Sequence, residues 1–254
     1  MGLRLGIVAA VVACLVSVDL IRAAEKPPAP VRIVCIGDSI TQGRKGAEGD
    51  PKNAPTYSYR YPLWKKLLDA GVNVDFVGTQ KAGFEGTPAY ALYRGKEFDN
   101  EHEGYWGWTT QAVAEKLRKT GTEWTADIAL VMLGSNDKEK EQTLEPTLKA
   151  MTDIVDTLRK NNPRITILIG RPFQEWKPFP DLGKAYADLA PRLTKPVTAV
   201  TAVNLSGGWV SKPDAPGTCT VDWVHPNAVG DEKIAECLFQ AMRPYLERQA
   251  PIGK

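Results

Sequence analysis

Histidine is scarce in this chain, with two among 254 residues, and the four cysteines form no Cys-x-x-Cys pair. Without clusters of such ligands the sequence offers no dedicated metal site, and nothing in it calls for a cofactor. An excess of one charge is missing too. The 32 Lys and Arg face 30 Asp and Glu, a formal net charge of +2, and no run of Lys and Arg makes a basic stripe. That removes the electrostatic case for a nucleic-acid partner. Gly and Pro, at 22 and 19 residues, stay below the levels of low-complexity chains. Long apolar runs are absent with one exception: Leu5 to Ile21 is apolar apart from Ser17 and Asp19, follows the positive Arg4 and precedes Ala23-Ala24. This pattern reads as a secretory signal peptide over residues 1–24, leaving 25–254 as one domain. A stretch of 17 residues interrupted by Asp19 is short for a membrane span, so no stable membrane association is expected after cleavage. Val11-Val12-Ala13-Cys14 also matches a lipoprotein cleavage site, although the apolar run continues past Cys14. Of the remaining cysteines, Cys35 lies in an apolar strand pattern and reads as buried. Nothing in the spacing of Cys219 and Cys237 demands a bridge.

What is present is an alternation of strand-like and helix-like segments. Val31–Ile36, Val72–Val77, Asp127–Leu133, Arg164–Gly170 and Val197–Asn204 read as five strands. Tyr59–Ala70, Thr110–Arg118, Leu144–Lys160, Asp181–Leu193 and Asn227–Arg248 read as helices between and after them. Near-continuous apolar strands separated by helices imply a parallel sheet covered on both faces, an α/β fold. Two long irregular stretches, Gln42–Thr56 and Gly78–Trp108, are rich in Gly, Pro and aromatics, as functional rims are.

Three polar motifs fall where an open α/β sheet places its chemistry, beyond strand ends or in the last loop. These are Gly37-Asp38-Ser39-Ile40-Thr41, Gly134-Ser135-Asn136-Asp137 and Asp222-Trp223-Val224-His225-Pro226. Acyl transfer needs a nucleophile, a base, a group that orients the base, and donors for an oxyanion. Ser39 at a strand-to-helix turn can attack, His225 can take its proton, and Asp222 can hold the other ring nitrogen. Asn136 offers an amide donor. Each motif alone also has a structural reading, because Asp and Ser cap helices and Gly-Ser-Asn-Asp ends strands as a turn. With two histidines in the chain, the base is His102 or His225.

Together the motifs resemble the SGNH hydrolase superfamily, the GDSL esterases and lipases. Gly37-Asp38-Ser39-Ile40-Thr41 is similar to its nucleophile block and Glu103-Gly104-Tyr105-Trp106-Gly107-Trp108 to its glycine block. Gly134-Ser135-Asn136-Asp137 is similar to its asparagine block, with Ser135 where Thr is usual, and Asp222-Trp223-Val224-His225-Pro226 to its catalytic pair. The resemblance implies a three-layer α/β/α, flavodoxin-like fold around a five-stranded parallel sheet. It implies Ser39 as nucleophile, His225 as base then acid, and Asp222 as orienting group. It also implies an oxyanion hole from the backbone N–H of Ser39 and Gly107 and the Asn136 side chain. The α/β-hydrolase pattern Gly-x-Ser-x-Gly does not apply, since Thr41 stands at its last position.

Tyr59-Arg60-Tyr61-Pro62-Leu63-Trp64, Val74–Thr79 and His102-Glu103-Gly104 resemble the branch of carbohydrate O-acetylesterases. An acylated carbohydrate is the partner this implies, with Asp38, Trp106 and Trp108 expected at the substrate and Tyr105 beside them. Two other readings use the same residues: a lipid-directed or general short-chain esterase or thioesterase, and a non-catalytic carbohydrate-binding protein on a hydrolase fold.

Overall fold

The computed structural model describes residues 29–47, 53–120, 123–137, 143–172 and 182–249. The expected signal peptide, Cys14 and Asp181 lie outside them. The β-branched run Val31–Gly37 forms β1, followed by the one-turn α1 (Ser39–Gln42), α2 (Arg60–Asp69) and β2 (Val74–Val77). Then come β3 (Glu103–Gly104), α3 (Thr110–Thr120), β4 (Ile128–Met132), α4 (Leu144–Asn161), β5 (Thr166–Arg171), α5 (Leu182–Leu193), β6 (Val200–Asn204) and α6 (Ala228–Gln249).

The long strands run parallel in the order β2-β1-β4-β5-β6, the doubly wound, flavodoxin-like order. Successive residues of β1 alternate between two cores, as the pleat requires. Val34 and Ile36 face α3, α4 and α5 through Val113, Leu117, Met151, Ile154 and Tyr186. Ile33 and Cys35 face α2 and α6 through Leu63, Leu67, Ile234 and Leu238. Cys35, Cys219 and Cys237 are free thiols.

The sheet has six strands among the described residues, where five were expected. The extra strand, β3, pairs Glu103 and Gly104 with Ile36 and Gly37, on the edge of β1 that β2 covers only as far as Val34. Two residues are too few to show a period in sequence, so β3 was hidden in the long 78–108 stretch. Its effect is to draw that stretch back to the end of β1, beside Ser39.

β1 ends in a tight approach. A Cβ on Gly37 would lie 2.7 Å from the Met132 carbonyl oxygen and would collide with Thr41 Oγ1. Because one of the two obstacles is the backbone of β4, moving the Thr41 side chain alone does not relieve it. Gly37→Ala is expected to lower unfolding free energy by about 1–3 kcal/mol, the usual cost of overpacking, as read by denaturant unfolding. A variant as stable as the parent would show that β1 and β4 can part at this point.

Candidate active site

Ser39 opens α1 directly after β1, and Asp38 caps that turn: its Oδ1 accepts from the Ile40 N–H at 3.0 Å. At the far side of the sequence the loop before α6 returns to the same sheet edge. His225 Nε2 lies 2.9 Å from Ser39 Oγ, and His225 Nδ1 lies 2.7 Å from Asp222 Oδ2. Asp222 Oδ1 accepts from the backbone N–H of His225 at 2.7 Å and of Val224 at 3.2 Å. Burial alone would raise the Asp222 carboxyl. The His225 ring and these two N–H groups outweigh it and hold the carboxyl below its ordinary value. Such a carboxylate fixes the ring so that Nδ1 donates and Nε2 faces Ser39.

Between them the loop turns through Trp223, a non-glycine residue at φ 74° with its side chain exposed. Left-handed backbone at a bulky residue is a local strain that the surrounding bonds must hold. Trp223 N–H donates to Thr220 Oγ1 at 3.2 Å and Val221 N–H to the His225 carbonyl at 2.9 Å.

The glycine block lies against the same turn. The N–H groups of Gly104, Tyr105, Trp106 and Trp108 go to His102 Nδ1, the Gly37 carbonyl, Gln42 Oε1 and the Tyr105 carbonyl. Among the described residues no acceptor in the chain takes the Gly107 N–H, and Gly107 sits at φ 72°, where glycine carries no steric penalty. Asn136 places one amide N–H on the Trp108 carbonyl at 3.0 Å. An amide has a second N–H to give. Ser39, His225, Asp222, Gly107 and Asn136 are thus gathered at the carboxyl edge of the sheet.

The three residues expected at the substrate fare differently. Asp38 is 1% exposed and serves the α1 cap, with Oδ2 buried and without a partner. Its place at a strand-to-helix turn makes it a helix cap. Trp106 is half-buried and its ring is already engaged: it stacks on His225 (centroids 4.7 Å, 15° between planes) and on Phe84 (4.7 Å, 19°), with the Arg44 guanidinium 5.2 Å away. It is a wall for the histidine. Trp108 is exposed and stacks by one face on Tyr105 at 4.5 Å. His102 is fully buried and kept neutral by burial, with Arg60 adding to the effect. It holds Gly104 instead of acting as a base.

Several residues lie inside the quoted motifs, but no role of their own was legible there in sequence. Arg60, fully buried, donates to the carbonyls of Thr41 (2.8 Å) and Gln42 (3.3 Å) at the end of α1 and to Asn100 Oδ1 (2.8 Å). Glu103 accepts from Thr79 N–H at 2.6 Å, Trp124 Nε1 at 2.7 Å and the Tyr105 hydroxyl. Asp137 accepts from Thr110 N–H at 3.0 Å, at the start of α3, and from Thr147 Oγ1 at 2.8 Å. A single charge inside the large apolar run Tyr59–Trp64 was the available signal for Arg60.

The family model of the GDSL-like lipase/acylhydrolase family matches residues 35–233, which span all of these blocks. The chain belongs to that family. Its members are ester hydrolases, so esterase chemistry is the coarse activity of this fold. Among solved structures the chain is similar to a carbohydrate esterase family 3 protein from Talaromyces cellulolyticus, at 23% identity and TM-score 0.68, covering 86% of this chain and 99% of that one. It is also similar to a family 3 carbohydrate esterase of Clostridium thermocellum, at 24% identity and TM-score 0.62, covering 88% and 100%. A mutant acetyl esterase solved with an acetate ion aligns at 22% identity and TM-score 0.68, covering 86% and 99%. At these identities the likeness shows the fold. No curated protein matches the chain.

Burial pushes the Asp38 carboxyl up from 3.8 to about 6, against the Ile40 N–H bond and His225, which pull it down. The folded state therefore binds more protons than the unfolded one between about pH 4 and 6, and stability falls as pH rises through that window. The shift corresponds to at most about 3 kcal/mol. Asn caps a helix as well as Asp does and carries no charge. Asp38→Asn is thus expected to match the parent's stability near pH 4 and exceed it at pH 8. A difference that stays constant across this range in pH-resolved denaturant unfolding would refute the account.

Proposed function

We propose that this protein is an exported serine esterase that removes short acyl groups, acetyl foremost, from carbohydrate. The observation that carries the esterase reading is the continuous Asp222–His225–Ser39 hydrogen-bond chain, at 2.7 and 2.9 Å. In this mechanism Ser39 Oγ attacks the ester carbonyl carbon while His225 Nε2 takes its proton, and Asp222 stabilises the imidazolium that results. The carbonyl oxygen becomes an oxyanion, met by the N–H groups of Ser39 and Gly107 and the Asn136 amide. His225 returns the proton to the departing sugar oxygen as the C–O bond breaks, leaving an acyl group on Ser39. Water then repeats the sequence, with His225 as base, and frees the carboxylic acid and Ser39.

Two features support carbohydrate over lipid. Aromatic side chains are exposed in or against the motifs: Trp108 in the glycine block, Trp223 between Asp222 and His225, and Phe84 stacked on Trp106. Aromatic faces suit the apolar face of a sugar ring, while an acyl tail needs a long aliphatic groove. The similar solved structures include carbohydrate esterases and an acetyl esterase. Export belongs to the same proposal and rests on the apolar Leu5–Ile21 run. N-terminal sequencing of the mature protein from an expressing cell's exterior or periplasm tests it, and an intact Met1 in the cytoplasm would refute it.

The acyl preference is tested on a ladder of p-nitrophenyl esters together with acetate release from acetylated xylan, pectin and chito-oligosaccharides. Turnover is expected to drop as the acyl chain lengthens. Equal or better rates on octanoyl and longer esters would favour the lipid-directed reading.

The roles separate by mutation. Ser39→Ala and His225→Ala should each remove nearly all of kcat, with the double variant no worse, because the two act in one proton transfer. An active, folded Ser39→Ala protein would end the serine mechanism, and a wild-type protein with no esterase activity would leave the carbohydrate-binding reading. Asn136→Ala should lower kcat by about 10²–10³ with little change in KM, since its amide meets charge that exists only in the transition state. Asn136→Asp should be at least as damaging. A folded Asn136→Asp enzyme with normal kcat would reduce Asn136 to a strand-ending turn.

A further inference from the structure

A second concavity opens between the first turns of α2 and α6. It has a volume of about 360 Å³ and is walled by Tyr57, Tyr61, Tyr90, Pro62 and Ala228, with Asp231 among its lining residues. That volume lies in the range of small-molecule sites. In a parallel α/β sheet the helices begin at the carboxyl edge, so this cavity shares the edge with the triad. One short stretch of chain and one hydrogen bond fix it there. Ala228 follows His225 by three residues, and Tyr57 adjoins Ser58, whose Oγ donates to the Thr41 carbonyl at 2.9 Å, two residues past Ser39.

Asp231 is the unusual part of this wall. It is 3% exposed, and its Oδ1 is buried with no hydrogen-bond partner. A buried carboxyl oxygen without a donor is costly to leave so. Burial pushes the Asp231 carboxyl well above its ordinary range, against the pull of Arg60 on α2 and with its own neighbour Glu232 adding to the rise, and Tyr90 lies within its electrostatic reach. Arg60 donates instead to the carbonyls of Thr41, Gln42 and Asn100 and to Asn100 Oδ1. Opposite Asp231 stand tyrosine rings. Tyr90 gives its hydroxyl to the Tyr57 carbonyl at 2.8 Å and packs its ring on Tyr61 at 5.1 Å and, edge to face, on Tyr57 at 6.0 Å, and of the three rings that of Tyr57 stays the most open, at 36% exposed.

An exposed aromatic face with an acceptor opposite it is the chemistry that recognises a sugar ring: C–H bonds lie on the ring, and a hydroxyl donates to the acceptor. We infer that this cavity is a carbohydrate subsite, in which a pyranose beyond the ester-bearing one lies on Tyr57 and donates a hydroxyl to Asp231. The inference rests on the carbohydrate reading above and extends it from a single sugar to a chain. A site of this kind lengthens the substrate the enzyme prefers without touching the bonds that break.

The test separates the two claims by measuring binding apart from turnover. Xylohexaose, cellohexaose and chitohexaose, all unacetylated, are titrated calorimetrically into the Ser39→Ala protein. At least one is expected to bind, and Tyr57→Ala and Asp231→Asn, each added to that protein, are expected to weaken it about tenfold. In the active enzyme the same exchanges should lower kcat/KM on acetylated oligosaccharide relative to p-nitrophenyl acetate by a similar factor. Thermal midpoints establish that the variants are folded, and Tyr57→Ala, on an exposed ring, decides the matter if Asp231→Asn is not. Binding lost with Tyr57 in a protein that deacetylates no oligosaccharide would uphold the subsite and defeat the carbohydrate-deacetylase reading. Deacetylation that is indifferent to Tyr57 and Asp231, or no binding of any of the three chains, would overturn the subsite.

Discussion

A buried cation holds the nucleophile in place. α1 is a single turn, too short to stabilise itself, and its last carbonyls have no partners inside the helix. Arg60 supplies them from the first turn of α2, with its guanidinium fully buried on the Thr41 and Gln42 carbonyls. No carboxylate among the described residues lies within ion-pair distance of it. An unpaired charge in that position costs several kcal/mol unless its hydrogen bonds are complete, so the turn and the arginine depend on each other. Ser58 and Tyr59 complete the support, bonding the Thr41 carbonyl and hydroxyl. The serine is therefore presented by a turn fixed from beneath, and its Oγ is free to face His225.

The same logic recurs in each of the four blocks, with carboxylates in place of the cation. Asp38 takes an N–H of α1, Glu103 takes that of Thr79, Asp137 takes that of Thr110, and Asp222 takes those of Val224 and His225. Each gives at least one oxygen to a backbone donor near the chain reversal that carries a motif residue. Loops that long would otherwise be mobile, and charge-assisted bonds to backbone N–H are about twice as strong as neutral ones. The catalytic carboxylate differs from the other three in one respect: its second oxygen goes to an imidazole.

The sheet, its helices and the meeting of Asp222, His225 and Ser39 were legible in sequence because each rests on a local pattern. Apolar runs such as Ile128–Met132 announce themselves, and the Ser39, Asn136 and His225 motifs sit just past strand ends or before the last helix. What was not legible depends on pairing at a distance. β3 is two residues long and exists through its match to Ile36 and Gly37. Gln42 meets the Trp106 N–H from 64 residues away, and Arg60 meets Thr41 across 19. Neither residue belongs to a motif with a chemical meaning. Asp38 and Trp106 are a different case: both lie in the motifs, the aromatic face of Trp106 suits a sugar ring, and no local pattern tells what their side chains already touch. Their side chains turn inward, one to cap a helix and the other to flank the imidazole.

That flanking ring bears on how the proton moves. In the proposed cycle His225 accepts a proton from Ser39 Oγ and later delivers it to a leaving oxygen displaced from that atom. The ring must shift slightly without losing Asp222. Trp106 lies nearly parallel to it at 4.7 Å, itself backed by Phe84 and Arg44 and fixed at its N–H by Gln42. A parallel stack resists tilting of the imidazole, which would open the contact, and permits sliding within its plane. Nδ1–H lies in that plane, so sliding keeps the bond to Asp222 while Nε2 travels between the two oxygens. Gln42 ends the turn that begins with Ser39, so the base's wall and the nucleophile hang from one four-residue helix and stay in register with each other.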